Sequence, residues 1–527
     1  MGVKVLFSIY AVQLSHESRF THGLNLVVHH LKKKGYDPSY VKYTDLDGSY
    51  KPKVWLCSIM WAGDYLNVLP FFRRVKQHPL SNRRSEYSSF FILGGHGLHN
   101  PEPIADFFDI IILGEGELVV PQVMAVLDSD LNRNQKLTEC SKIEGVYVPN
   151  IYGTPQYNDD ESVEEWDIDP IRKTHIPSID INDGFYSTSE KTTGHNIYYS
   201  IEAGRGCQSK CNFCSIAWTC GKYRETSPAN LKKTIQSIQN KTGKENISLT
   251  LSAPDSAGFK CSKEFSEILY NHNVRNRFAS VKLNSLKENI DIVLSDPTIK
   301  LRIGIEGYSE RLRKAMGKPL TNNEIIEGMQ FLIDHDMFNF QFFMISGLPG
   351  ENEEDFKEFN TLLNELGEIE SPKTTGGTWL NTITFTNFNI SPHSPCQWFG
   401  SKFSQASYDF YNTQIKNSFY PCMIPKIWPT KNKAPFFLES ILLTGNRKLT
   451  YFLLSYYKKK NILQKIRTDK ERYNVYHKLL SNIGYNPNIV SQDKSLDYNF
   501  CWDFIEQEIP RKVIVKRHKR IREELKI

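Results

Sequence analysis

Glu202-Ala203-Gly204-Arg205-Gly206-Cys207-Gln208-Ser209-Lys210-Cys211-Asn212-Phe213-Cys214 is the stretch on which the reading of this chain turns. Three of the ten cysteines fall here in a Cys-x3-Cys-x2-Cys spacing, and the others are scattered through 527 residues. Thiols crowded into one short loop of a long chain read as metal ligands rather than as a secreted disulfide framework. A cubane 4Fe–4S cluster normally takes four thiolates. Three on one loop would leave one iron without a protein ligand, open to a small molecule. A structural zinc would instead need a fourth Cys or His, for which Cys220 is the nearest candidate.

Working outward, 198–202 reads as a strand leading into this loop. Further strand-length apolar runs follow at 247–251, 280–283, 301–305, 339–345 and 382–389, with helical patterning between them. Six strands alternating with helices predict a partial α/β barrel over 196–400, in which loops at the carboxyl ends of the strands form the site. Upstream, 3–9, 54–59, 90–93 and 110–113 read as buried strands, with helical spacing at 22–34 and 65–75. That pattern predicts a doubly wound, flavodoxin- or Rossmann-like parallel sheet over 1–150. Two of its strands end in glycine-rich loops, Gly94-Gly95-His96-Gly97 and Gly114-Glu115-Gly116-Glu117. In open α/β sheets, ligands sit beyond such strand ends. Residues 151–195 are polar and aperiodic and read as a linker. Residues 401–527 read as mostly helical and end in a basic run from Arg511 to Lys526.

Composition narrows the class further. Hydrophobic residues make up 40% and charged residues 24%, with a net charge of +6, as expected of a globular chain with sizeable cores. The mild basic excess does not by itself specify a nucleic-acid partner. The opening residues lack a basic segment followed by a long apolar stretch, and no apolar run approaches the length of a membrane span. The expectation is a cytoplasmic protein without membrane association.

The cysteine loop, with aromatic Phe213 before its last cysteine, resembles the radical S-adenosylmethionine (SAM) superfamily. Gly304-Ile305-Glu306-Gly307 and Gly347-Leu348-Pro349-Gly350-Glu351 resemble segments that lie near SAM in that family. Ser252-Ala253-Pro254 stands where relatives carry Gly-Gly-Glu against the SAM amino group. The stretches Gly94-Gly95-His96 and Asp109 to Glu117 resemble the cobalamin-binding domain that precedes many of these enzymes. Gly145 to Pro149, Ser309 to Arg313, Pro392 to Trp398 and Cys501-Trp502-Asp503 resemble segments of the same subclass. A cobalt-ligating Asp-x-His-x-x-Gly is absent from the first loop, where His16 or His22 could substitute. Only Cys57 and Cys140 precede the loop, so the three N-terminal cysteines of methylthiotransferases are absent.

The resemblance implies a 4Fe–4S cluster on Cys207, Cys211 and Cys214. It implies SAM bound with help from Ser252, Glu306, Gly347, Leu348, Pro349 and Gly350. It also implies cobalamin cradled by Gly94, Gly95, His96, Gly114, Glu115, Gly116 and Glu117. The implied activity is cleavage of SAM to a 5′-deoxyadenosyl radical and methylation of an unactivated carbon. The alternatives are a cobalamin-independent cyclisation, rearrangement or oxidation with a degenerate N-terminal domain, or a non-catalytic metal- and RNA-binding protein. An electron donor such as flavodoxin or ferredoxin is an implied partner. No catalytic side chain stands out from the sequence, and nothing in it reads as a particular substrate pocket.

Overall fold

Successive residues of the N-terminal strands are buried on opposite faces of one sheet, so both faces must be covered. The computed structural model describes residues 7–15, 21–190, 197–276, 278–294, 299–369, 380–415, 423–428 and 432–527. In it, β1 (Ile9–Gln13), β2 (Ser39–Tyr40), β3 (Val54–Ser58), β4 (Phe90–Gly94), β5 (Ile110–Ile112) and β6 (Val146–Tyr147) form a sheet of order β2-β1-β3-β4-β5-β6. All neighbours are parallel except β5 and β6. Val54, Leu56, Ile92 and Ile112 pack under α1 (His22–Lys33) and α3 (Gly116–Leu127). Trp55, Cys57, Phe91 and Leu93 face the other way, onto α2 (Val68–Arg74) and helices of the C-terminal region. The first strand lies later than the expected 3–9: Ile9 to Gln13 are the residues in register with Val54 to Ser58, and residues 1–6 lie outside the described chain.

The stretch expected as a linker is short strands rather than plain coil. β7 (Gln156–Tyr157) and β8 (Val163–Glu165) form a hairpin. β9 (Ile171–Arg172) continues into Thr174, which bridges to Gly114. β10 (Ser187–Glu190) runs antiparallel to the first barrel strand, β11 (Ile197–Glu202). Polar, short strands of this kind carry too little apolar periodicity to be seen in sequence.

The barrel follows as two sheet segments. β12 (Gly204–Arg205) and β13 (Arg224–Glu225) form a small ribbon around the cysteine loop. β14 (Ile247–Ser252) and β15 (Val274–Asn276) extend the sheet of β11 in parallel. β16 (Phe278–Val281), β17 (Lys300–Glu306), β18 (Phe340–Ser346), β19 (Leu380–Asn387) and β20 (Met423–Trp428) make the second segment, also parallel. The third strand lies earlier than the expected 280–283, because Leu283 opens a helix whose Leu283 and Leu286 are buried. β20 adds a strand inside the region expected to be helical. Apart from a two-residue strand at Ile505–Glu506, the remaining C-terminal elements are helices, as expected.

Helices Lys433–Thr444 and Leu449–Lys458 close the second face of the N-terminal sheet. Between them, the buried Arg447 guanidinium donates to Glu102 and Asp106 at 2.9 Å each and to the Tyr147 hydroxyl. β21 (Ile505–Glu506) pairs in parallel with β9. The C-terminal helix, Arg511–Leu525, lies on the barrel through Ile514, His518, Ile521 and Leu525, a stripe at helical spacing. Val513, next to Ile514, faces solvent instead.

Candidate active site

The ribbon β12–β13 brings the chain tightly round before the cysteines. Gly206 sits at φ +78°, a conformation that side chains with a Cβ adopt at a cost. Beyond it, Asn212 pins the loop: its backbone N–H donates to the Met316 carbonyl at 2.8 Å and its side-chain amide to Ala315 at 2.8 Å. Trp218, buried, donates its indole N–H to the Cys211 carbonyl at 2.9 Å. Lys210 donates to the Ala217 carbonyl at 2.8 Å.

Cys207, Cys211 and Cys214 are half-buried and lie close enough to feel one another's charge. Burial pushes the Cys214 thiol up to about 11, with Cys211 adding to the rise, while backbone N–H groups of Ala217 and Ile216 favour the thiolate. Ligands of one tetrahedral zinc would crowd within ~4 Å of each other. Among the described residues, no three His, Cys, Asp or Glu side chains come together to hold a single ion. Cys220 lines the cavity described below, beside Gly206. Three thiols on one loop suit a cluster with one open corner.

A polar shelf adjoins Cys211. Lys318 and Glu306 pair at 3.2 Å, and Lys282 lies 3.6 Å from Asp255 and contacts Ser209. Glu306 is held at φ +74°, at the carboxyl end of β17. A Cβ at Gly304 would lie 2.2 Å from the Glu306 carboxylate and 2.5 Å from the Lys318 amine, so a side chain there would displace both ends of this pair. This shelf of two ammonium groups and two carboxylates suits a ligand bearing both an amino and a carboxylate group.

Gly347, Leu348, Pro349 and Gly350 follow the carboxyl end of β18, the parallel neighbour of β17, and do not line the cavity described below. Leu348 is buried in the barrel core, a Cβ on Gly347 would lie 3.3 Å from the Lys402 carbonyl, and one on Gly350 would lie 3.3 Å from Leu525. Glu351 turns back to accept from the Gly347 and Leu348 N–H groups at 2.8 and 3.3 Å. Burial pushes its carboxyl up to about 7.

A cavity of about 500 Å³ opens between the N-terminal sheet and the barrel. Gly94, Gly95, His96, Gly114, Glu115, Gly116 and Glu117 all line it, as do Ser252 and the Gly204-Arg205-Gly206 approach to the cysteines. The glycine loops and the cysteine loop thus meet at one place. Leu56, Ile92, Ile112, Val27 and Val120 form an apolar slot under the strand ends. Gly94 faces open space, its nearest neighbour for a Cβ being Ile112 at 3.8 Å. Gly95 and Gly114 have a different reason: a Cβ would strike the Ile59 carbonyl at 2.1 Å or the Thr174 carbonyl at 2.3 Å. The buried Nδ1 of His99, on the same wall, has no hydrogen-bond partner. An apolar slot, an open glycine and an orphaned imidazole nitrogen fit a large ligand with an aromatic tail. Of the two histidines considered for cobalt, His22 lines the cavity but is engaged with Ser187 at 2.5 Å, and burial lowers its pKa. His16 lies outside the described residues.

Three side chains that line the cavity, Arg205, Lys173 and His175, and Arg224 behind Glu115 carry no motif that marks them in sequence. Arg205 contacts Glu115 at 3.2 Å and Glu117 and Glu202 at 2.7 Å each. Arg224 donates to both Glu115 oxygens, at 2.9 and 2.8 Å. Burial alone would raise Glu115, but the His175 imidazole 3.6 Å away, the Arg224 hydrogen bonds and the Arg205 charge outweigh it and hold the carboxyl down at about 2. The position of Arg205 two residues before Cys207 is the one sequence signal that could have found it. Lys173 and His175 come from the short strands of 151–190, where no periodicity points to them.

Residues 201–363 match the family described as the Radical SAM superfamily, and residues 50–149 match the N-terminal region of radical SAM proteins. An uncharacterized protein of Methanocaldococcus jannaschii is 21% identical over 313 residues, 59% of this chain and 62% of that protein. A ribosomal protein uS12 methylthiotransferase (RimO) of Clostridium kluyveri is 24% identical over 39% of this chain and 48% of its own length. The chain thus spans less than two thirds of the curated relatives it matches. Among solved structures, the cobalamin- and [4Fe–4S]-bound radical SAM methyltransferase TsrM from Kitasatospora setae superposes with a TM-score of 0.51 at 12% identity, over 74% of each chain. The cobalamin-dependent SAM radical enzyme OxsB superposes with a TM-score of 0.50 at 12% identity, over 99% of this chain and 79% of its own. These likenesses are of fold.

Proposed function

Because this chain carries a radical SAM superfamily domain, we propose that it is a cobalamin-dependent radical SAM methyltransferase acting on an unactivated carbon. When bound, a 4Fe–4S cluster supplies the electron that cleaves the sulfonium of SAM to a carbon radical, and cobalamin supplies the methyl group. Cys207, Cys211 and Cys214 would hold the cluster, and Asn212 fixes the loop that presents them. Lys282, Glu306 and Lys318 offer charges for the amino and carboxylate groups of SAM beside Cys211. The apolar slot below Gly94 and Gly116 would take the cobalamin tail, and Arg205 with its carboxylates joins that loop to the cysteine ribbon. With both cofactors seated, the cavity walls would limit bulk water between them, which would protect a radical from quenching.

The observation that carries this reading is the continuity of the two sites. Gly206 lines the cavity and its next neighbour is the first cysteine. Anaerobic reconstitution with iron, sulfide and cobalamin should give both iron–sulfur and corrinoid absorbance, and 5′-deoxyadenosine on reduction with SAM. Failure to cleave SAM would reject the reading.

The packing reason for Gly95 and Gly114 favours a second reading, in which the N-terminal domain keeps its glycines for its fold alone and the reaction is a cobalamin-independent cyclisation, rearrangement or oxidation. Turnover unchanged by cobalamin would select it. RimO-type methylthiolation fits less well, since only Cys57 and Cys140 precede the loop, and they are buried apart, Cys57 in β3 and Cys140 on the helix Arg133–Ser141.

A further inference from the structure

The C-terminal helix Arg511–Leu525 has two unlike faces. Ile514, His518, Ile521 and Leu525 are buried, and the His518 Nδ1 lies 2.9 Å from the Pro395 carbonyl. The outer face carries Lys512, Lys516, Lys519 and Arg520, all exposed. Arg520 is paired with Glu524 at 2.8 Å, but among the described residues no ion pair joins Lys512, Lys516, Arg517 or Lys519 to a carboxylate. Glu523 lies on the same face, and Glu508 is the carboxylate felt by nearby Lys210. The balance on this surface is strongly positive.

Its flank reaches the cysteine loop. The Arg517 guanidinium lies 5.9 Å from the centre of the Trp218 ring and the Lys210 ammonium 5.5 Å from it. Trp218 is in turn hydrogen-bonded to the carbonyl of Cys211 at 2.9 Å. A buried aromatic ring bonded to a cluster-ligand peptide thus sits under two surface cations. Among the described residues the other cysteines are scattered singly, so the reducing electron would come from another molecule.

We propose that the outer face of the C-terminal helix, with Arg517 and Lys210 at its flank, is the docking surface for a small acidic one-electron carrier that reduces the cluster through the Trp218–Cys211 contact. This rests on the cluster assignment above. The transfer is a single electron: the reduced carrier loses one, the cluster gains one, and no bond or proton is exchanged. Unpaired lysines around a redox entry point attract an acidic partner and orient it, an effect seen chiefly in association rate and its salt dependence.

The test uses the reconstituted holoenzyme and its K512E/K516E/K519E variant, with SAM cleavage driven either by photoreduced flavodoxin or by dithionite. The variant should raise the KM for flavodoxin by about tenfold or more and flatten its dependence on salt, while dithionite-driven cleavage stays within about twofold of the parent. An unchanged flavodoxin KM overturns the proposal. So does equal loss with both reductants, which would place the helix in the structure rather than in docking. Loss of binding to a labelled RNA oligonucleotide with the flavodoxin KM retained would assign the face to nucleic acid and also overturn it. If the parent enzyme fails to cleave SAM with dithionite, the cluster assignment falls instead.

Discussion

Replacing Arg205 with methionine would remove the one cation shared by three carboxylates. Arg205 makes a two-pronged contact with Glu202, both at 2.7 Å, and reaches Glu117 at 2.7 Å and Glu115 at 3.2 Å. The side-chain exposures are 14% for Arg205 and 17%, 5% and 12% for Glu202, Glu117 and Glu115, so water compensates little. Glu115 keeps Arg224 and His175 after the change. The loss therefore falls on Glu117 and Glu202, of which the latter keeps only His22 at 3.9 Å. Removing one partner of a buried ion pair typically costs about 3–5 kcal/mol, because the remaining charge stays desolvated. R205M should lose about that much in urea unfolding of the apoprotein. R205K, which keeps the charge without the fork, should lose less. Adding E117Q to R205M should recover at least ~1 kcal/mol, since a neutral amide is cheaper to bury than an unpaired carboxylate. If R205M unfolds within about 1 kcal/mol of the parent, the Arg205 cluster is not what joins the glycine loop to the cysteine ribbon.

Three further outcomes are expected. Glu115 is held at about 2 against an ordinary 4.5; a depressed carboxyl contributes stability that is complete above pH 4.5 and lost as pH falls toward 2, here roughly 3 kcal/mol. E115Q should therefore lose much of the parent's acid dependence in that window, and matching pH curves for the two proteins would contradict the assignment. C207S, C211S and C214S should each lose the broad iron–sulfur absorbance near 400 nm after reconstitution, whereas C220S, on the cavity wall, should keep its iron content; equal iron loss in C220S would point to a fourth ligand. G95A should destabilise the N-terminal domain by ~1–3 kcal/mol or more, because its Cβ would overlap the Ile59 carbonyl at φ +126°. G94A should fold normally but bind cobalamin more weakly, and a thermal melt beside a cobalamin titration separates the two effects.

Much of the site was legible in the chain because it is local. The cysteine spacing, the strand before it and the glycine loops are short-range patterns, and the structure brings the glycine loops and the cysteine approach to one cavity. What was not legible depends on long-range pairing. Lys173 and His175 reach the cavity because β9 pairs with a strand more than three hundred residues away and Thr174 bridges to Gly114. Gly347 to Gly350 carry a motif-like pattern, but their place is set by the C-terminal helix packed on Gly350, a contact no local pattern encodes. The same holds for the reason behind Gly95 and Gly114, which is the approach of a distant backbone carbonyl rather than a ligand.

The pairing of Ile505 and Glu506 with Ile171 and Arg172 acts as a clasp drawn shut by the far end of the chain. A polypeptide cut or stalled before residue 505 would still carry its three thiols and both glycine turns. It would lack the strand that holds the backbone of Lys173, whose N–H donates to the Glu506 carbonyl at 2.9 Å. One wall of the cavity thus depends on a partner more than three hundred residues away in sequence.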